Sequence, residues 1–193
     1  ILNAALRRYC HFGIQKTTLT EVADDLAMTK QGLSHYFPDK QSLVNAVIEK
    51  ITTEYSHRLK QKMEEAESVE EGLKALVEVK SYFYEKYYLL ASQAGELEIF
   101  SSESMLTWKQ SLLTKELGLI VTLFENGIRN GELKTFDTKK TGMLLLDTIY
   151  VYNNSVKEKG ALPDPGLFKK VMQKQHEVIQ LFYQGLKAET WKK

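Results

Sequence analysis

Apolar residues recur along almost the whole chain at spacings of three and four, and strict alternation never runs long enough to mark a strand. The pattern therefore predicts helices throughout. A first helix closes near Phe12-Gly13, since glycine suits the left-handed position that follows a helix end. Thr18-Leu19-Thr20-Glu21 reads as a capping box, in which hydroxyl and carboxylate satisfy each other's free amides. The helix it opens sets Leu19, Val22, Ala23 and Leu26 on one face. Thr29 caps a short helix from Lys30 to Phe37, which Pro38 stops, and Asp39 caps a long helix striped by Leu43, Val44, Val47 and Ile51. Further helices are expected near 68–93, 95–103, 105–130, 137–158 and 165–188, punctuated by Ser68, Gly95, Gly131, Gly160, Pro163 and Pro165. The fold class is all-α. A head at 1–50 holds three short helices and the start of a long one, and a helical body fills 51–193.

Composition narrows the function. Only three prolines interrupt 193 residues, which leaves the chain free to be helical. No run of about 18 uncharged apolar residues is present, so no membrane partner is expected. The opening ILNAALRRYC has neither a start Met nor a cleavage site, and reads as part of a longer chain without a signal peptide. The single cysteine, Cys10, suits a reducing cytoplasm. It follows its neighbours Leu6 and Tyr9 onto an apolar face, and as a helical neighbour of His11 it points about 100° away from that ring, so the pair makes no nucleophile and base. Metal-ligand spacings, a glycine-rich phosphate loop and a nucleophile elbow are all missing, which argues against an enzyme and implies no metal or cofactor. Net charge is +1, but residues 1–62 hold nine Lys/Arg against six acids, so the basic excess sits with the head.

The most informative stretch is Thr18 to Phe37: two capped short helices joined by a tight turn, with apolar residues spaced for crosswise packing. That is the layout of a helix-turn-helix, whose second helix can enter the DNA major groove. A helix this short offers few base contacts, so useful specificity needs two copies.

The head, with its I-L-x-A-A opening, G-I-x-x-T-T, E-V-A, M-T-K and L-x-x-Y-F-P-x-K, resembles the TetR family of transcriptional regulators. Phe124-Glu-Asn-Gly-Ile-Arg-Asn-Gly-Glu-Leu in the body is a second echo. The resemblance implies that the second helix of the motif reads bases, through Lys30, Gln31 and Ser34 with His35 beside them, and that Thr18, Thr29, Tyr36 and Lys40 hold phosphates. Lys and Gln suit guanine and adenine edges. Two departures stand out. Ser34 replaces a common Tyr, and Gly32 lies inside the reading helix at a cost of about 1 kcal/mol relative to Ala.

The last two predicted helices are apolar over wide arcs. One arc of each covers the chain's own core, and the other needs a partner. This predicts a twofold homodimer through Leu145, Tyr152, Met172, His176, Ile179 and Tyr183. Aromatic, two-sided helices in the body suit a small-molecule pocket, and the resemblance implies one lined by Phe83, Tyr87, Trp108, Leu112, Tyr150 and Asn153, with Asp147 as a carboxylate interrupting an apolar run. The resulting expectation is a ligand-responsive repressor that binds a palindromic double-stranded DNA operator as a homodimer and is released by a lipophilic or aromatic effector. A dimeric small-molecule-binding protein that no longer binds DNA stays open beside it.

Overall fold

The computed structural model describes residues 1–93, 103–155 and 165–189. Those residues form α1 (Leu2–Phe12), α2 (Leu19–Asp24), α3 (Lys30–Tyr36), α4 (Lys40–Glu64), α5 (Val69–Lys86), α6 (Tyr88–Gln93), α7 (Glu103–Arg129), α8 (Thr138–Ser155) and α9 (Pro165–Leu186). They gather into two compact units, Ile1–Glu54 with Lys86–Lys109, and Tyr55–Glu85 with Gln110–Lys193. The head unit is thus larger than a division at residue 50 implies.

One expected helix is two. The stretch 68–93 breaks at Tyr87, where the chain leaves the second unit for the first, and α6 then packs on α1. Tyr82, Phe83, Tyr84, Tyr87 and Tyr88 crowd that region, and aromatic residues hold a helix less well than the leucines and alanines before them. The helix expected at 95–103 falls almost wholly outside the described residues; its last residue, Glu103, begins α7.

In the first unit the chain's local signals set the backbone. Thr18 accepts from the Glu21 amide at 3.2 Å, while the Glu21 carboxylate accepts from the Thr18 amide at 2.7 Å, closing the capping box. Its end is unusual. The Met28 amide donates to the Ala23 carbonyl and the Ala27 amide to the Asp24 carbonyl, both at 3.0 Å, a Schellman closure that puts Ala27 in the left-handed region at φ 50. Glycine would take that position at no steric cost; alanine does not. Across the top, Arg8 of α1 grips Asp25 through two hydrogen bonds of 2.7 Å and approaches Glu21 at 3.5 Å. Leu33 of α3 is buried with Ala5 and Tyr9 of α1, Val22 and Ala23 of α2, and Leu43, Val44 and Val47 of α4.

The second unit turns on the corner between α7 and α8. Glu132 is buried, and both its carboxylate oxygens accept from the Val69 amide, at 2.9 and 3.1 Å, so a residue 63 positions away caps α5. Gly127 makes this possible, because a Cβ there would stand 2.4 Å from Val69 Cγ2. The same corner is tied to the end of α9: Lys134 donates to the Leu186 carbonyl and Ala188 to the Glu132 carbonyl, each at 2.9 Å. The echo Phe124-Glu-Asn-Gly-Ile-Arg-Asn-Gly-Glu-Leu is therefore a structural corner in this chain.

Two substitutions test these readings by urea denaturation of the whole chain. Ala27→Gly is expected to stabilise by about 0.5–1 kcal/mol, against the usual direction of an alanine-to-glycine change, because it relieves the left-handed strain. An unchanged or lower midpoint would show that Ala27 carries no strain. Glu132→Ala is expected to cost about 1–3 kcal/mol through the orphaned Val69 amide.

Candidate nucleic-acid interface and ligand-binding body

The geometry of α3 follows from its one buried residue. Only Leu33 enters the core. At 100° per residue, Gln31 and His35 each lie about 160° from Leu33 and so face directly outward. Both are exposed, as is Lys30, while Ser34 and Gly32 flank them half-buried. Tyr36, at the end of the helix, keeps 62% of its surface exposed and meets the His35 ring edge-on at 5.6 Å. A tyrosine left this open on a small head has no packing reason to be there.

Thr29 accepts the Gly32 amide at 3.0 Å and so caps α3. A methyl on Gly32 would crowd that hydroxyl at 3.2 Å. The glycine that looks costly by helix propensity thus leaves the cap its room. Thr18 and Thr29, at the N-termini of α2 and α3, are exposed, and helix N-termini suit phosphate oxygens. Lys40 has a structural partner that the sequence did not reveal. Its ammonium donates to the Gln15 carbonyl at 3.1 Å and ties the start of α4 to the α1–α2 loop.

In the body the expected lining residues fall into both units. Tyr87 and Trp108 belong to the first, where Trp108 Nε1 donates to Thr52 Oγ1 at 3.2 Å. Phe83, Leu112, Asp147 and Tyr150 belong to the second. The side chain of Asn153 lies outside the described residues, as does that of Tyr152. Asp147 is exposed, so it is no buried carboxylate. That role belongs to Glu116, which the sequence reading passed over.

Glu116 of α7 is 1% exposed and gathers groups from three other helices. Tyr55 of α4 donates to Oε1, Lys80 of α5 reaches the same oxygen at 2.5 Å, and Tyr150 of α8 donates to Oε2 at 2.8 Å. The Lys80 ammonium also lies 3.3 Å from Tyr55 Oη, 4.2 Å above the Tyr150 ring centre and 5.4 Å from that of Tyr55. Phe83 packs edge-on to Tyr55 at 5.5 Å. Burial first, and the neighbouring Glu116 charge next, push both tyrosine hydroxyls upward, so each stays a protonated donor. The sequence held one signal of this site. Lys80 stands on the stripe Leu76, Phe83, Tyr87, and Glu116 on the stripe Leu113, Leu117, Ile120, opposite charges on two apolar faces.

The expected dimer face also needs correction. Leu145, Ile179 and Tyr183 are buried inside the single chain, so a partner could not reach them. Met172 and His176 are half-buried, and His176 Nδ1 donates to the Met172 carbonyl at 2.9 Å. The apolar side chains left open lie one step round: Leu144 at 58% and Val151 at 67% on α8, and Leu181 at 74% on α9. Wide apolar arcs hid which edge the chain keeps for itself.

Among the described residues no helix is long and apolar enough to cross a membrane. Residues 1–47 match the family of bacterial regulatory proteins, tetR family. No curated protein matches the sequence. Among solved structures, the chain is similar to a transcriptional regulator from Cytophaga hutchinsonii, with a TM-score of 0.87 at 23% identity, over 97% of this chain and 96% of that one. It is also similar to FadR from Bacillus subtilis, solved in complex with stearoyl-CoA, with a TM-score of 0.71 at 15% identity, over 96% and 97% of the two chains. A third is SmeT, the repressor of the Stenotrophomonas maltophilia multidrug efflux pump SmeDEF, with a TM-score of 0.70 at 14% identity, over 98% and 89%. These relatives are regulators, not enzymes. Residues 1–47 carry the sequence signature of the bacterial regulatory proteins of the tetR family, and the chain shares its all-helical fold with solved transcriptional regulators.

Proposed function

We propose that this protein is a cytoplasmic, ligand-responsive repressor that binds a palindromic operator as a homodimer and releases it when a small lipophilic or aromatic effector enters the second unit. The observation that carries the reading is α3: one residue anchors it in the core, and the side chains of Gln31 and His35 face outward and are exposed. Gln31, Lys30, Ser34 and His35 then meet base edges, with Gly32 keeping the helix backbone close, and Thr18, Thr29, Tyr36 and Lys40 meet phosphates. Seven residues of helix span only about 10 Å, so two copies are needed, set about 34–36 Å apart on one face of the duplex.

Leu144, Val151 and Leu181 supply the surface for the second copy. Large apolar side chains in this number and exposure favour association over solvation. The effector acts through α4, a single helix from Lys40 to Glu64 that carries Tyr55 of the Glu116 cluster. It must prefer the released conformation, since equal affinity for both would shift nothing.

Selection from a random duplex pool, at two salt concentrations, is expected to recover a palindrome with half-sites about one helical turn apart. Gln31→Ala is then expected to relax the preferred sequence at one position per half-site, while Tyr36→Phe and Lys40→Ala weaken all sequences alike. Weak binding to every sequence, lost alike as salt rises, would instead favour a ligand-binding protein that has given up DNA. Leu144→Glu combined with Leu181→Glu is expected to turn the dimer into monomer in sedimentation; a dimer that survives both changes would move the interface elsewhere.

A further inference from the structure

The Glu116 cluster has the parts of an organic-cation receptor, and they are already filled by a cation of the chain's own. A carboxylate, a hydroxyl oxygen and two aromatic faces surround the Lys80 ammonium. The two charges are not held equally. Glu116 accepts from two tyrosine hydroxyls, of α4 and α8, besides its contact with Lys80. Lys80 sits at the end of a flexible four-carbon stem, and its polar contacts are with Glu116 and Tyr55. The anion is therefore fixed and the cation replaceable.

We propose that Tyr55, Glu116 and Tyr150 form a recognition box for an alkylammonium group, and that the effector is a lipophilic or aromatic amine that takes the place of the Lys80 ammonium. The proposal rests on the reading of the second unit as effector-binding. Approach is from the side of Tyr150, which is half-buried while Tyr55, Lys80 and Glu116 are buried. Binding is an exchange. One ammonium replaces another beside the carboxylate, Lys80 recovers its hydration, and the apolar part of the ligand leaves water. An anion would have to displace Glu116 from both tyrosine hydroxyls, which the same exchange does not provide. A buried ion pair is seldom more stabilising than apolar residues of the same volume, so fold stability alone gives little reason for Lys80 and Glu116 to be charged.

The test is calorimetric titration of the whole chain with phenylbutylamine, phenylbutanol and phenylbutyrate, which share a ring and a four-carbon stem and differ in charge. The amine is expected to bind about tenfold or more tighter than the alcohol, with the acid weakest. Glu116→Gln is expected to bring amine and alcohol level. Lys80→Met removes the tethered competitor and is expected to bind the amine more tightly than the unaltered chain; should it be poorly folded, the amine and not the alcohol is expected to raise its melting temperature. Tightest binding by the acid, equal binding by all three, or an amine preference that survives Glu116→Gln would each overturn the box. Release of the selected operator is measured separately. Amine binding by a chain that binds no DNA would keep the box and sink the repressor, whereas operator binding without amine binding would do the reverse.

Discussion

A carboxylate with 1% exposure in the middle of a helical unit restricts everything around it. Left alone, the Glu116 charge would cost several kcal/mol of lost hydration, so the fold is acceptable only if donors reach it. They come from α4, α5 and α8, while Glu116 itself belongs to α7. Turning any of these helices by one residue would swing its donor about 100° away and leave the charge bare. The network therefore fixes the register of four helices at once. Apolar packing alone tolerates many arrangements of similar volume; hydrogen bonds to a buried ion do not.

Local and distant constraints divide the labour between the two units. In the first, each turn is settled by neighbours in sequence: the Thr18–Glu21 box, the closure at Ala27 and the Thr29 cap. Arg8 then clamps α1 to α2 through Asp25 and Glu21, and these contacts hold both carboxylates below their usual range, Asp25 chiefly through Arg8 and Glu21 chiefly through Thr18. In the second unit the decisive contacts join residues far apart, Val69 to Glu132 and Lys80 to Glu116. A head settled locally can form its outward α3 face from its own sequence neighbours, which suits the reading role proposed for it.

This division also explains how much was legible in the sequence. Caps at Thr18 and Thr29, the stop at Pro38 and the stripe of α4 are written in adjacent residues, and the helix-turn-helix follows from them. The break at Tyr87 was hidden because periodicity runs through it unbroken; it falls where the chain passes from one unit to the other. Faces were harder than helices. Leu145 and Leu144 are neighbours in an apolar run, and only three-dimensional packing decides which of them is covered. Asp147 drew notice as a lone acid among apolar residues, yet it faces solvent. Glu116 went unremarked because its partner, Lys80, lies 36 residues away on another helix. A charge looks solvated until its counter-charge is found.

Because Leu33 alone fastens α3 to the core, the other side chains of that helix carry little of the fold's stability. Changes at positions 30, 31, 34 and 35 can therefore accumulate without unfolding the head. On the DNA-binding role proposed above, descendants of this protein could drift to new operators through a series of stable intermediates, while Leu33 and the two threonine caps stay in place. The scaffold is in that sense separable from its vocabulary, and a family built on it can diversify what it reads faster than how it folds.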